Sequence, residues 1–335
     1  MGSRPKRRQH TVPRTLLRGF ADANGCLAMR RRDGTDGLIS IRRASVRRDF
    51  YSFLGDDGGR VDDVEDWLDE HVESPVSPVL DRLRSGEQPS GSDSPVLAAF
   101  AASGLLRTAT VRSYLEQLDG DLAPLMLVHK VLTRSGTDPT TLPPESMDRL
   151  HAAASRVWSE RDKEPDEARS MLRTVLRHFD ELASDLSSWA WSLHTADRPC
   201  LITADASVAT FAPVGQGWLG ILPQGSPVFI PISARRLLVG EKFAQGSGTL
   251  TADLTRLVNG RLAQEAFDAV FADPSMTWPA EAHMSSQRPT LPIPTVTWSR
   301  SDLESSPTFP SIYRAVASES VRVLLKSLGA KDTVE

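Results

Sequence analysis

Leu97, Phe100, Gly104, Arg107, Val111, Tyr114 and Leu118 fall on one stripe of alternating three- and four-residue steps, the repeat that turns one face of a helix toward a core. An arginine therefore occupies a core position. A guanidinium stays charged at any accessible pH, and burying it unpaired is prohibitively costly. Any fold must bring Arg107 a carboxylate, a carbonyl or a bound anion. Two versions follow. In one, Arg107 clamps a carboxylate structurally, with Glu73 the expected partner ahead of Asp205 because its acidic helix should pack beside the arginine helix. In the other, Arg107 holds a substrate anion in a pocket.

The pattern of the remaining chain indicates an α+β fold. "CLAMRRRDGTDGLISIRRASV" reads as two strands around a Gly-Asp turn, with "RRDFYSF" as a possible third, so the front is a basic β-hairpin or small sheet. From Val61 the period turns helical, with Val64, Trp67, Leu68 and Val72 on one face and Pro75 and Pro78 expected to bend or restart the helix. "GEQPSGSDSP" (86–95) reads as a linker. A central helical block follows, with helices over 96–118, 122–132, 144–161 and 165–195. Then come short β-prone runs, "CLITAD", "ASVATF", "GWLGIL" and "VFIPIS", and a capping helix over 251–272. They predict mainly antiparallel short strands. Residues 5–273 are expected to form one domain. Seven prolines in the 37 residues after Asp273 indicate an extended 274–335 segment ending in the helix "SIYRAVASESVRVLLKSL". There is no internal repeat.

Charge is segregated along the chain. Residues 1–48 hold thirteen Lys and Arg against Asp22, Asp33 and Asp36, a net of +10, while the rest carries −14. A basic front of this kind suits nucleic acid or another polyanion, whose phosphates release counterions on binding Lys and Arg. The alternative, slightly favoured because the stretch 56–70 is acidic enough to be its counterpart, is that it docks on the chain's own surface. Two cysteines, Cys26 and Cys200, are too few for a disulfide framework or a Cys-rich zinc site. The first twenty residues lack the apolar core of a signal peptide, and no run approaches the eighteen apolar residues of a membrane span. The expected location is the cytoplasm, with no membrane partner.

Three further constellations could carry chemistry. Glu65, Asp69 and Glu73 are spaced i, i+4, i+8, which puts three carboxylates on one helix face. Oxygen ligands so placed can hold Mg²⁺ or Mn²⁺, although most such faces are simply solvated. Asp205 directly follows the strand "CLIT", where it can face a pocket or close a turn through backbone amides. His178, Glu181 and Asp185 share a face without a ligand pattern. Phosphate-loop, dinucleotide, zincin and serine-hydrolase motifs are absent.

"RRQHTVPRTLLRGF" resembles the opening motif of the bacterial family known as domain of unknown function 4238. Tyr51, Glu65 and Glu73, "FAASGLLRT", "LITADASV", "FIPIS" and "LVNGRLAQEAFDAVFA" are similar to its later landmarks, over about residues 5–273. The chain departs from that pattern where Gly104 replaces Gln and where Thr203-Ala-Asp-Ala-Ser-Val208 replaces Thr-Ser-Asp-Asn-Pro-Val. The resemblance implies no reaction. It implies a set of positions, His10, Arg18, Glu73, Arg107 and Asp205, that coincide with the residues singled out above. One expectation is a metal-dependent hydrolase acting on a phosphorylated or nucleic-acid substrate. In it Glu73 and Asp205 hold the ion, His10 serves as acid or base, Arg107 stabilises charge, and Arg18, Arg30, Arg31 and Arg32 bind substrate. The alternative is a non-catalytic polyanion-binding module whose carboxylates only pair buried arginines. A third, a scaffold, would depend on the Pro-rich tail.

Overall fold

The computed structural model describes residues 8–48, 50, 53–54, 60–61, 63–137, 141–160, 179–211, 226–243 and 246–290. The chain is α+β, with helices and mainly antiparallel sheets. It divides into two compact units. One comprises residues 1–53, 60–112 and 178–292, the other 54–59, 113–177 and 293–335. Among the described residues, no helix is long and apolar enough to cross a membrane.

The first unit opens with β1 (Arg8–His10), α1 (Arg14–Leu17) and a single tight turn over Arg18–Phe20. Here the basic opening is part of the core, because Val12, Leu16, Leu17 and Phe20 are completely buried. The arginines between them, Arg14 and Arg18, point to solvent. The hairpin of β2 (Cys26–Arg31) and β3 (Asp36–Ser40) forms as expected, with Gly34 in the left-handed conformation its turn requires. The third strand differs from expectation. β4 (Val46–Arg48) leaves the hairpin and pairs antiparallel with β1, setting Gln9 opposite Arg47 and His10 opposite Val46. Two short strands, β5 (Phe53–Leu54) and β6 (Arg60–Val61), follow.

The acidic helix is built in three parts. α2 (Asp63–Leu68) widens into a π-turn over Asp69–Glu73 and resumes as α3 (Ser74–Ser85). The amide of Ser74 reaches back five residues to the Asp69 carbonyl, and Pro75 then has no N–H with which to continue the normal ladder. The helix thus restarts at the first proline and runs through Pro78. The 86–95 stretch is less a linker than a cap: Ser90 and Asp93 cap one another's ends ahead of α4 (Ser94–Leu106), and the buried Asp93 takes a hydrogen bond from Arg82 at 2.6 Å.

The helix expected over 96–118 is interrupted at its arginine. α4 ends at Leu106, Arg107 is its C-cap at φ −83° and ψ 18°, and the hydroxyl of Thr108 accepts the Val111 amide to start α5 (Ala109–Ser135). α5 then continues unbroken across 119–121, where a gap between helices was expected, and on through Pro124. Most of α5, with α6 (Pro144–Glu160), belongs to the second unit. There Met126 and Leu127 of α5 and Met147, Leu150, Ala154 and Trp158 of α6 are buried.

Two segments expected as helix are strands. Residues 161–178 lie outside the described set, and α7 covers 179–187. The chain then forms β7 (Ala190–Thr195), in which Trp191 and Leu193 are buried in alternation with half-exposed neighbours. β7 is in the five-stranded sheet β12-β7-β11-β10-β9, built from β9 (Ala209–Thr210), β10 (Val228–Ser233), β11 (Arg236–Glu241) and β12 (Gly248–Thr249). The "GWLGIL" run lies outside the described residues, as do residues 291–335 with the expected terminal helix. The helix expected to reach residue 272 stops earlier: α8 (Ala252–Glu265) gives way to β13 (Ala269–Ala272). β13 lies between β2 and β8 (Thr203–Ala204) in the sheet β3-β2-β13-β8, so the front hairpin is completed by strands from more than 160 residues away. Its four residues are all buried. A strand covered on both faces reads as a plain apolar run, which periodicity cannot tell from a helix end.

Gly19 marks where the opening segment meets the five-stranded sheet. Its carbonyl accepts the Ala234 amide, and a Cβ placed on it would run into the Ile232 carbonyl oxygen and lie 2.9 Å from Ser233 Cα. Those obstructions are backbone and cannot rotate away. Gly19→Ala should lower stability by about 2 kcal/mol or more in urea unfolding; an unchanged midpoint would show that the segment does not sit this close to the sheet.

Candidate functional site

Arg107 is 4% exposed, and its two terminal nitrogens are used separately. Nη1 donates to Glu73 Oε1 at 2.8 Å, and Nη2 donates to the His10 carbonyl at 2.8 Å. The π-turn is what presents Glu73. Uniform α-helix would have kept Glu65, Asp69 and Glu73 in one row, whereas the widened turn leaves Asp69 exposed and rotates Glu73 toward α4. His10 lies on β1 with Nδ1 at 3.2 Å from the Ala44 carbonyl; since that oxygen can only accept, Nδ1 carries a proton.

Asp205 follows β8 and is 8% exposed. Its Oδ1 accepts the Phe267 amide and its Oδ2 the Asp268 amide, each at 2.7 Å. The carboxylate thus binds backbone amides, as expected of a turn-closing acid, but they lie more than sixty residues away in the approach to β13. Arg47 of β4 stands 3.9 Å from Asp205 Oδ2 and 2.5 Å from Asp268 Oδ2. Burial pushes the Asp205 carboxyl up to about 6, with the two amides and Arg47 pulling in the other direction.

These residues form two neighbouring clusters joined by a ribbon. Glu73 and Arg107 hold the backbone of His10, and Asp205 with Asp268 faces Arg47. His10 and Arg47 lie on the paired strands β1 and β4. Among the described residues, the carboxylates of Glu73 and Asp205 have no hydrogen-bond partner in common, and no three His, Cys, Asp or Glu side chains converge as metal ligands. Of the two carboxylates expected to share one Mg²⁺ or Mn²⁺, Glu73 accepts from Arg107 through Oε1, and Asp205 accepts from backbone amides through both oxygens.

The arginines expected to bind substrate divide into two that are engaged within the chain and two that are exposed. Arg30 donates from Nε and Nη2 to both oxygens of Asp36 at 2.8 Å and lies 4.7 Å from the Trp278 ring. Arg32 donates to the carbonyls of Ala266 and Phe267, and to those of Ser285 and Gln287. Arg31, on the opposite face, is exposed, as is Arg18. Two arginines of the basic run are thus engaged within the chain, on Asp36 and on backbone carbonyls, while part of the acidic stretch 56–70 expected as its counterpart lies outside the described residues. The period of two separates Arg31 from Arg30 within β2, a signal available in the sequence, whereas Arg32 lies past the strand end in the turn that follows.

Other positions carried no such signal. Arg84, in the last turn of α3 with its side chain 14% exposed, donates to the Thr15, Leu16 and Ile232 carbonyls, although its sequence context is an ordinary basic helix end. Asn259 of α8 is fully buried and pins the strand entry by accepting the Ile202 amide and donating to the Cys200 carbonyl. The two departures from the resembled pattern meet in space, since a Cβ on Gly104 would overlap a Val208 methyl and lie 3.6 Å from the Ser207 hydroxyl.

The fold and clusters together define an α+β protein whose opening segment is built into the body through buried arginines. The chain belongs to the family described as "Protein of unknown function (DUF4238)", which matches residues 8–276. Comparison with the curated proteins and with the solved structures returned no match.

Arg107→Met keeps the apolar stem and removes the donors that Glu73 and the His10 carbonyl accept from; it should cost about 3–5 kcal/mol in denaturant unfolding. Adding Glu73→Gln should recover only part of that loss, because the carbonyl stays without Arg107. Full recovery in the double-mutant cycle would show that the hydrogen bond to His10 adds nothing.

Asp205 gives a pH signature. Its folded-state proton affinity lies above the ordinary value of about 4, so the native state holds the proton more tightly than the unfolded chain. The resulting contribution is complete below about pH 4 and is lost as the pH rises through about 6, amounting to about 3 kcal/mol. Whatever fixed cost Asp205→Asn carries, the wild type should lose stability relative to that variant between pH 4 and pH 7. A pH-independent difference would mean that Asp205 titrates normally.

Proposed function

We propose that the chain is a non-catalytic polyanion-binding module, with nucleic acid as the partner class, acting in the cytoplasm. The observation that carries this reading is the state of the exposed arginines in the first 48 residues. Arg14, Arg18, Arg31, Arg42 and Arg43 are exposed and form no ion pair among the described residues, while Arg30, Arg32 and Arg47 are engaged within the chain. Guanidinium groups left in water without a carboxylate keep their full charge for phosphates. The reading also leaves Arg107 with Glu73, and Asp205 with its amides, in structural roles.

A second reading, the metal-dependent hydrolase with His10, Glu73, Arg107 and Asp205, is favoured by one observation. Asp205 is a buried acid raised to about 6, the kind of shift that general acid–base chemistry uses. To bind an ion it must first give up the amides of Phe267 and Asp268. Titration with Mn²⁺, comparing wild type with Asp205→Asn and Glu73→Gln, tests it directly: binding abolished in both variants would establish the shared ion, and binding equal in all three would remove it.

For the polyanion reading, replacing Arg14, Arg18, Arg42 and Arg43 by Ser should weaken binding to a mixed-sequence oligonucleotide. It should also reduce the slope of log K against log salt by about one unit for each phosphate that is no longer neutralised. The melting temperature should stay close to the wild-type value, because these side chains lie in solvent. An unchanged salt slope would overturn the reading.

A further inference from the structure

Asp268, just before β13, is held by two arginines from distant parts of the chain. Arg47 Nη2 of β4 reaches its Oδ2 at 2.5 Å, and Arg288 Nη2 reaches its Oδ1 at 2.9 Å. Each oxygen thus has its own guanidinium. Both guanidiniums also lie against one ring, with Arg47 at 4.9 Å and Arg288 at 4.5 Å from the centroid of Phe267. Stacking on a nearly buried ring fixes the plane of each cation before any anion arrives, and it lowers the ordering cost of a second, external acceptor.

The local charge favours such an acceptor. Among the described residues, Arg32, Arg47 and Arg288 face only Asp205 and Asp268, and Arg32 spends its hydrogen bonds on neutral carbonyls, so its charge is not cancelled by its partners. The Asp268 side chain is 45% exposed and that of Arg288 59%. A carboxylate in this position can swing into water without leaving a buried charge behind. Arg288 lies beyond residue 276, where the family match ends, on a segment that Arg32 fastens through the Ser285 and Gln287 carbonyls.

We propose that Arg47 and Arg288, stacked on Phe267, form a phosphate-binding clamp whose resting occupant is the chain's own Asp268. A phosphate group offers oxygens to both guanidiniums at once and carries more charge than the carboxylate it displaces. Asp268 then acts as a built-in competitor that sets the affinity, since the ligand sees only the fraction of molecules in which the clamp is open. This site is separate from the exposed arginines Arg14, Arg18, Arg42 and Arg43, and the inference stands whether or not they bind nucleic acid.

Inorganic phosphate is the first probe, measured by calorimetric titration of the full chain. Asp268→Asn removes the competitor's charge while keeping its backbone amide on Asp205, and it should tighten phosphate binding about tenfold. Adding Arg288→Gln to that variant should undo the gain; both positions are exposed enough for the fold to persist, which an unchanged circular dichroism spectrum checks. Equal phosphate affinity in wild type and Asp268→Asn, or a gain that survives Arg288→Gln, would overturn the proposal. A second titration separates the sources of the phosphate. Tighter binding by Asp268→Asn of an oligonucleotide with a 5′-phosphate than of its 5′-hydroxyl form assigns the clamp to a nucleic-acid end. Equal affinity for both forms, with the inorganic phosphate response retained, assigns it to a small phosphorylated molecule.

Discussion

Donation from buried and half-buried guanidinium groups into backbone carbonyls is the interaction on which the first unit depends. Among the described residues, its opening segment has a three-residue strand pairing, a four-residue helix and one tight turn, little regular structure with which to satisfy its own backbone. Arg107 takes the carbonyl of His10, Arg84 those of Thr15 and Leu16, and Arg84 at the same time takes Ile232 in the five-stranded sheet. At the other end, Arg32 gathers carbonyls from the turn before β13 and from the segment that follows it. A guanidinium suits this work because its five donors lie in one plane and can serve several acceptors at once. Arg107 and Arg84 each meet a carboxylate as well, Glu73 at 2.8 Å and the exposed Asp81 at 3.2 Å.

The same logic explains the placement of Glu73. A carboxylate near a buried arginine must point at it closely, and an α-helix of uniform pitch would have aimed Glu73 along the row of Glu65 and Asp69. The proline at 75 prevents the next amide from donating, the preceding turn opens to the π form, and the carboxylate is rotated onto Arg107. Backbone chemistry in one helix thus sets the electrostatics of another. Asp205 works in reverse. There a side chain organises backbone, its two oxygens holding the amides that lead into β13, and the cost is an acid kept out of water beside Asp268.

Some of this was legible in the residues. The arginine on the apolar stripe announced a buried guanidinium, and the acidic helix was the right place to seek its partner, because the need to neutralise a buried charge does not depend on the fold that buries it. The hairpin of β2 and β3 was readable from its alternation and turn. The opening motif carried the family. The break at Arg107 was less visible: Thr108 is a good N-cap, but a cap residue inside a continuous apolar stripe is overruled as often as obeyed.

What the sequence by itself determined is local: the period of the hairpin, the restart of the acidic helix at its proline, the burial of Arg107 and the excess of positive charge at the front. What only the tertiary structure decided is every contact between residues far apart in the chain. β13 is a strand because β2 and β8 flank it, and β7 because β11 offers a full register of partners; alone, "AVFA" and "AWSLHT" could complete the helices that precede them. Arg30, Arg31 and Arg32 are identical in type and adjacent, yet one pairs with Asp36, one faces water and one clamps carbonyls more than 230 residues away. The physical reason is that a side chain's chemistry is intrinsic, whereas the acceptor it meets, and the water it loses, depend on which distant segment the sheet brings beside it.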